Sequence, residues 1–222
     1  MVFMKTIVIT SQKGGSGKTM LAAHLAVEAE RTGEGPVWLI DTDRQGTLSR
    51  WHERREAEVP QLGQVPFGQI KSGLAALDKN HHAALCLIDT APTISDQTAS
   101  LVTYADLVVI PVRPSPSDLW AVAETVEFVQ AAERPFIFVL TQAKPQASIT
   151  AQAVAALSQH GRVAQAFIAD RVAYAAAMTG GNTAPELAAK GPAAEEITAL
   201  WKEIKTCFHE KMKLEERSQV NG

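Results

Sequence analysis

Cysteine is nearly missing from this 222-residue sequence. There are two, Cys86 inside the apolar run 85–88 and Cys207 in a helix-like stretch. Without a C-x-x-C pair, neither an iron–sulfur cluster nor a structural zinc site finds its ligands, and the low count suits a reducing, cytoplasmic compartment. An excess of positive charge is lacking too. Twenty-one Lys and Arg against 24 Asp and Glu leave a net charge of −3, which excludes a global basic field that would draw in nucleic acid or anionic membrane. Any DNA contact has to come from a local patch. Long apolar runs are also absent, none approaching the ~20 residues that cross a bilayer. Met4-Lys5-Thr6-Ile7 leads straight into the first strand-like run, so no signal peptide is expected. There are no internal repeats and no low-complexity segment. What is present, 46% apolar and 20% charged residues, suits one domain with a sizeable core. Residues 1–213 are expected to form it, and the polar residues 214–222 a frayed tail.

The most informative stretch is Ser11-Gln12-Lys13-Gly14-Gly15-Ser16-Gly17-Lys18-Thr19, directly after Ile7-Val8-Ile9. A β-branched run, a glycine-rich turn and a helix-like pattern read as strand, phosphate loop and helix. Glycines let successive backbone N–H groups turn inward at an anion, and the helix N-terminus adds partial positive charge. Lys18 is placed to reach the β- and γ-phosphates, and the Thr19 hydroxyl to ligate Mg²⁺. A Gly/Lys-rich surface turn would explain the composition but not the spacing or the strand before it.

Further along, short apolar runs alternate with helical patterns, which predicts an α/β fold: a mostly parallel sheet with helices on both faces. Val37–Ile40 ends in Asp41-Thr42-Asp43, and 84–88 ends in Asp89. Carboxylates at the C-terminal ends of parallel strands lie where ligands bind in such sheets. As a structural alternative, Asp41 and Asp43 would form a solvated turn capping the next helix. More strands are expected at 107–110, 136–140 and 163–168, with an edge strand at 65–67. Helices are expected over 18–31, 47–57, through Ile70, Leu74 and Leu77, and over 119–133 with Ser115 or Ser117 as N-cap. Ser148 is expected to cap another, and a last helix starts at Pro192. Its stripe Ile197, Leu200, Trp201, Ile204 and Phe208 suits core packing better than a membrane face, because the polar side mixes Lys with Glu.

Lys13 and Gln12 depart from the general phosphate-loop pattern, which has glycine at the position of Gln12. Together with D-T-D-R-Q-G at 41–46, D-T-A-P at 89–92 and I-P-V-R-P-S-P-S-D at 110–118, the loop resembles that of the ParA/MinD family of deviant Walker A ATPases. The similarity is greatest to small plasmid-partition ParA proteins. Arg44 and Ala91 stand where that family carries proline.

The resemblance implies a P-loop NTPase with ATP/ADP and Mg²⁺ as cofactors. It implies nucleotide contacts from Lys13, Gly14, Gly15, Ser16, Gly17, Lys18, Thr19 and Met20, with Thr141 and Gln142 at the base. Mg²⁺ would be held through Thr19, Asp41 and Asp89. Asp43 would position the attacking water, and Lys13 would cross to the partner's nucleotide, so catalysis would rest on Lys13, Lys18 and Asp43. The Pro111–Pro116 stretch is either a rigid connection or, as in the small ParA proteins, part of subunit contacts.

Further implications are an ATP-driven homodimer capable of higher-order assembly, non-specific DNA binding on the nucleoid, and a ParB-type centromere-binding partner that stimulates hydrolysis. No membrane attachment and no N-terminal helix-turn-helix are expected. Residues 140–222 carry nine Lys and Arg against eight Asp and Glu, which points to Arg171, Lys190, Lys202 and Lys205 for DNA. The function so implied is DNA partition, typically of a plasmid. The alternatives are the same switch placing a protein cargo over the nucleoid, a P-loop metabolic enzyme, or an ATP-gated filament.

Overall fold

The computed structural model describes residues 4–93, 95–144 and 146–220, with the backbone alone from residue 209 onward. Its centre is built from short aliphatic runs: β1 (Lys5–Ile9), β2 (Val37–Asp41), β4 (Leu85–Asp89), β5 (Leu107–Val112) and β6 (Phe136–Leu140), with the two-residue β3 (Gln61–Leu62) at one edge. All pair in parallel, in the order β3-β2-β4-β1-β5-β6. Strands covered on both faces need apolar side chains at every position, which is why these runs do not alternate with polar residues. Ile7 and Ile9 point into one core, Val8 into the other.

The first face carries α1 (Lys18–Arg31), α2 (Thr47–His52), α7 (Val172–Thr179), α8 (Ala184–Leu187) and α9 (Pro192–Val220). The second carries α3 (Ile70–Asn80), α4 (Asp96–Val102), α5 (Pro116–Ala131) and α6 (Ser148–Ser158). The α9 stripe packs on the core: Ile197, Leu200 and Ile204 are fully buried, and the indole N–H of buried Trp201 donates to Thr32 Oγ1 at 3.0 Å. Among the described residues no helix is long and apolar enough to cross a membrane.

Four expectations are corrected. No strand forms over 163–168. Phe138 and Val163, and Ala143 and Ala169, make isolated bridges, but between them the amides of Gln165 and Ala166 donate to the Glu203 carboxylate of α9, at 2.9 and 2.7 Å. A side chain has taken the donors that a ladder needs. The edge strand lies at Gln61–Leu62 rather than 65–67. Val65 and Phe67 pack on the second core instead, and Phe67–Gln69 forms a 3₁₀ turn. The helix from Thr47 ends at His52, not at 57, because the Arg54–Arg55 backbone lies against Gly181, where any Cβ would stand 2.4 Å from Arg54 C. Ala147, not Ser148, is the N-cap of α6. The helical assignment of α9 runs through 214–220, the stretch expected to fray.

His24 ties the two ends of the first face together. It is fully buried on α1; Nδ1 lies 2.8 Å from Met20 O, and Nε2 accepts from Ala184 N–H at 3.0 Å. Only the neutral ring satisfies both bonds. Burial pushes its pKa down to about 4, against small opposing effects of Met20 O and Glu186. A folded pKa below the unfolded ~6.5 means that the unfolded chain binds the extra proton. This contribution is therefore complete above about pH 6.5 and is lost as the pH falls toward 4. Between pH 6.5 and 5, urea titrations should show wild type losing on the order of 2 kcal/mol more than His24→Leu, a comparison in which the opposite contribution of Asp89 cancels. The same slope in both proteins would contradict it.

Candidate nucleotide-binding site

The site begins where β1 runs into its loop. Gly15 and Gly17 have φ of 72° and 91°, the left-handed region that glycine enters without steric cost. Gly17 is the N-cap of α1, and no side chain caps that helix, so its first amides are left for an anion. Lys18 is 7% exposed and donates to Ser11 O and Lys13 O, at 3.1 and 3.2 Å. Burial lowers its pKa, while Asp89 and Asp43 oppose that shift. The ammonium of Lys13 has no hydrogen bond or ion pair among the described residues.

Strand register brings in the carboxylates. Asp89 stands opposite Ile9 on one side and Asp41 on the other, which places the β4 end beside the loop. The Thr19 hydroxyl donates to Asp89 Oδ2 at 2.6 Å; the other oxygen, Oδ1, is buried and unpaired. Burial pushes the Asp89 pKa up to about 7, partly offset by the Thr19 bond, with Asp41 adding to the rise. Ser16 Oγ is a second buried atom without a partner. Orphaned polar atoms of this kind, beside an uncapped helix start, fit a group that is itself charged. Thr19 and Asp89 would hold Mg²⁺, and the loop amides with Lys18 the phosphates.

Asp41 also has partners within the subunit. Its Oδ2 accepts from Ser49 N and Oγ, both at 2.9 Å, and Oδ1 from Asp43 N at 3.1 Å. It braces the start of α2 and the turn that carries Asp43, as the capping alternative predicts. Asp43 Oδ1 accepts from Gln45 N at 2.9 Å, and Gly46 N–H donates to Asp43 O at the same distance. These bonds fix the turn without the proline that Arg44 replaces.

Thr141 and Gln142, at the end of β6, also reach the loop. Thr141 Oγ1 donates to Ser16 O and Gln142 Nε2 to Gly15 O, both at 2.8 Å. Beyond them opens a cavity of about 250 Å³ that Met20, Ile168, Tyr174 and Met178 also line. Sequence reasoning did not find Ile168, Tyr174 or Met178 as site residues; Tyr174 and Met178 lie in the apolar helix 172–179, whose pattern carries no sign of a ligand. Gln12, the other departure, hydrogen-bonds Glu124 on α5.

The four cations proposed for DNA do not form one free cluster. Arg171 is paired with Glu196 at 2.7 Å, and Lys205 with Glu34 at 3.2 Å, while Lys190 and Lys202 are exposed.

Residues 7–184 match the family model described as the CobQ/CobB/MinD/ParA nucleotide binding domain. The chain is 29% identical over 211 residues to "Maintenance of carboxysome distribution protein A" of Halothiobacillus neapolitanus, a match that covers 90% of this chain and 95% of that protein. Two solved structures share the fold. One is an ATP complex of McdA from Cyanothece, at 20% identity and TM-score 0.72, covering 91% of this chain and 96% of that one. The other is MinD with Mg-ADP from Pyrococcus horikoshii, at 16% identity and TM-score 0.74, covering 90% and 96%. The orphaned Asp89 oxygen, the uncapped loop and the match over most of the chain agree: this protein belongs to the MinD/ParA family of nucleotide-binding ATPases, which take ATP or ADP with Mg²⁺.

Proposed function

We propose that the chain is an ATP-driven switch that positions a protein cargo, such as an enzyme array or organelle-like compartment, over the nucleoid. The observation that carries this reading is the match to the carboxysome distribution protein along 95% of its length. Plasmid partition, which the sequence motifs alone suggest, uses the same switch and is the competing outcome.

The site supports such a switch through Lys13. Its ammonium is left over in the subunit, whereas Lys18 and Thr19 are engaged within it. Two subunits would close face to face, each Lys13 completing the other's site. The closed dimer would bind DNA without sequence preference, through a surface that includes Lys190 and Lys202. A partner protein on the cargo would then stimulate hydrolysis and release. Bound Mg²⁺–ATP supplies the phosphoryl group for transfer to water. Asp43 orients that water, because positioning contributes more than base strength in this chemistry. Asp41 keeps the Asp43 turn in register, and Lys18 holds the phosphates in a site where its burial strengthens the attraction.

Deletion in the native cell, with the chain tagged for fluorescence, tests the cargo. The tagged chain is expected on the nucleoid, and its loss is expected to clump a protein cargo while plasmid inheritance is unchanged. Plasmid loss with an evenly spread cargo would overturn the reading.

A further inference from the structure

Arg113 is the only Lys or Arg between residues 80 and 133. It lies on the short link from β5 to α5, just past Pro111, where β1 has ceased to pair with β5. Its Nε and Nη2 donate to the two carboxylate oxygens of Asp118, at 2.9 and 3.0 Å. Asp118 is 2% exposed and is itself held by the Ser115 hydroxyl at 2.6 Å. A guanidinium gripped in this two-pronged way is fixed in plane and direction.

The grip leaves one nitrogen over. Nη1 has no hydrogen bond among the described residues, and it lies 3.6 Å from where a Cβ of Gly15 would stand. Gly15 makes the left-handed turn in the phosphate loop, and Gln142 donates to its carbonyl. The ends of the neighbouring strands β5 and β6 thus both reach one glycine, one with a cation and one with an amide. An ion pair that only closed the turn before α5 would need no donor at the loop.

We propose that Arg113 is a phosphate-contacting residue of the nucleotide site. Asp118 is its positioning residue, and Nη1 is the donor aimed at the phosphate chain beside Gly15. The assignment rests on the nucleotide site and not on the cargo. It gives the Pro111–Pro116 stretch a task beyond connection: its rigidity sets where the guanidinium stands.

The test is titration of the full chain, with Mg²⁺, using a fluorescent derivative of the non-hydrolysable analogue AMPPNP, alongside thermal melts without nucleotide. Arg113→Gln should lose about tenfold in affinity, the size of one hydrogen bond to a charged group. Arg113→Lys, whose single ammonium cannot hold both Asp118 oxygens and still present a donor beside Gly15, should recover only part of that loss. The melting temperatures of both should stay within about 3 °C of wild type. Affinity of Arg113→Gln within twofold of wild type would overturn the assignment. So would full recovery in Arg113→Lys, which would leave Asp118 no positioning role, or a loss that comes with a melting temperature more than about 3 °C below wild type. If the unaltered chain bound no nucleotide, the site itself would fail, a result distinct from either.

Discussion

Lys13→Ala is expected to bind nucleotide within about threefold of wild type and yet lose partner-stimulated ATP turnover by about 10³-fold or more, the contribution of a cation supplied in trans. The structure gives the reason for the split. Within one subunit Lys13 offers only its backbone carbonyl, to Lys18, so its side chain can be removed without touching the local phosphate contacts. On the proposed reading, the energy it supplies would appear only when a second subunit brings its transition-state charge to the lysine. Turnover measured with DNA and partner, beside the affinity for the nucleotide, separates the two quantities. Normal stimulated turnover in Lys13→Ala would remove the lysine from the shared site.

Lys18→Ala should do the opposite and abolish binding itself, with affinity falling at least 100-fold. Lys18 is a cation kept at 7% exposure with two loop carbonyls as partners, and burial lowers its pKa. A buried ammonium of this kind has given up water, and beyond the two carbonyls its compensation would be the phosphate charge proposed to meet it. Two charge-assisted hydrogen bonds at roughly 1.5–3 kcal/mol each set the scale of the loss. Calorimetric titration with ADP checks the prediction, with circular dichroism showing that the variant is folded. An unchanged affinity would contradict the assignment.

The parts that could be read in the sequence are those that local chemistry decides. Gly17 and Lys18 mark the start of α1 because glycine and the loop geometry leave no other choice. Asp89 could be placed because an apolar run ending in a carboxylate, in a chain with a phosphate loop, puts that carboxylate at the mouth of the sheet. The stripe from Ile197 to Ile204 shows by its spacing that α9 packs on the core.

What could not be read depends on partners far away in the chain. The run 163–168 has the composition of a strand, and only the presence of Glu203, nearly 40 residues later, diverts its amides. Gln12 is a departure from a motif until Glu124, 112 residues on, takes its side chain. Asp41 matches a metal-shell position by motif, and nothing in that motif shows the bonds it accepts from Ser49 and the Asp43 amide. Arg171 is chosen for DNA by its charge and by its place in a loop that resembles the family's, neither of which shows Glu196 beside it. In each case tertiary contact gives a residue chosen for its type a further partner. Periodicity and motif carry no information about such contacts.

The proposed switch requires that ATP, through Lys13, turn DNA affinity on. Fluorescence anisotropy of a labelled duplex of arbitrary sequence, titrated with the chain under ATP, ADP or no nucleotide at about 50 and about 200 mM salt, tests it most directly. Binding with ATP alone is predicted, with affinity falling by at least tenfold at the higher salt and no binding by Lys13→Ala. Equal binding in all three nucleotide states, or no binding with ATP at the lower salt, would contradict it.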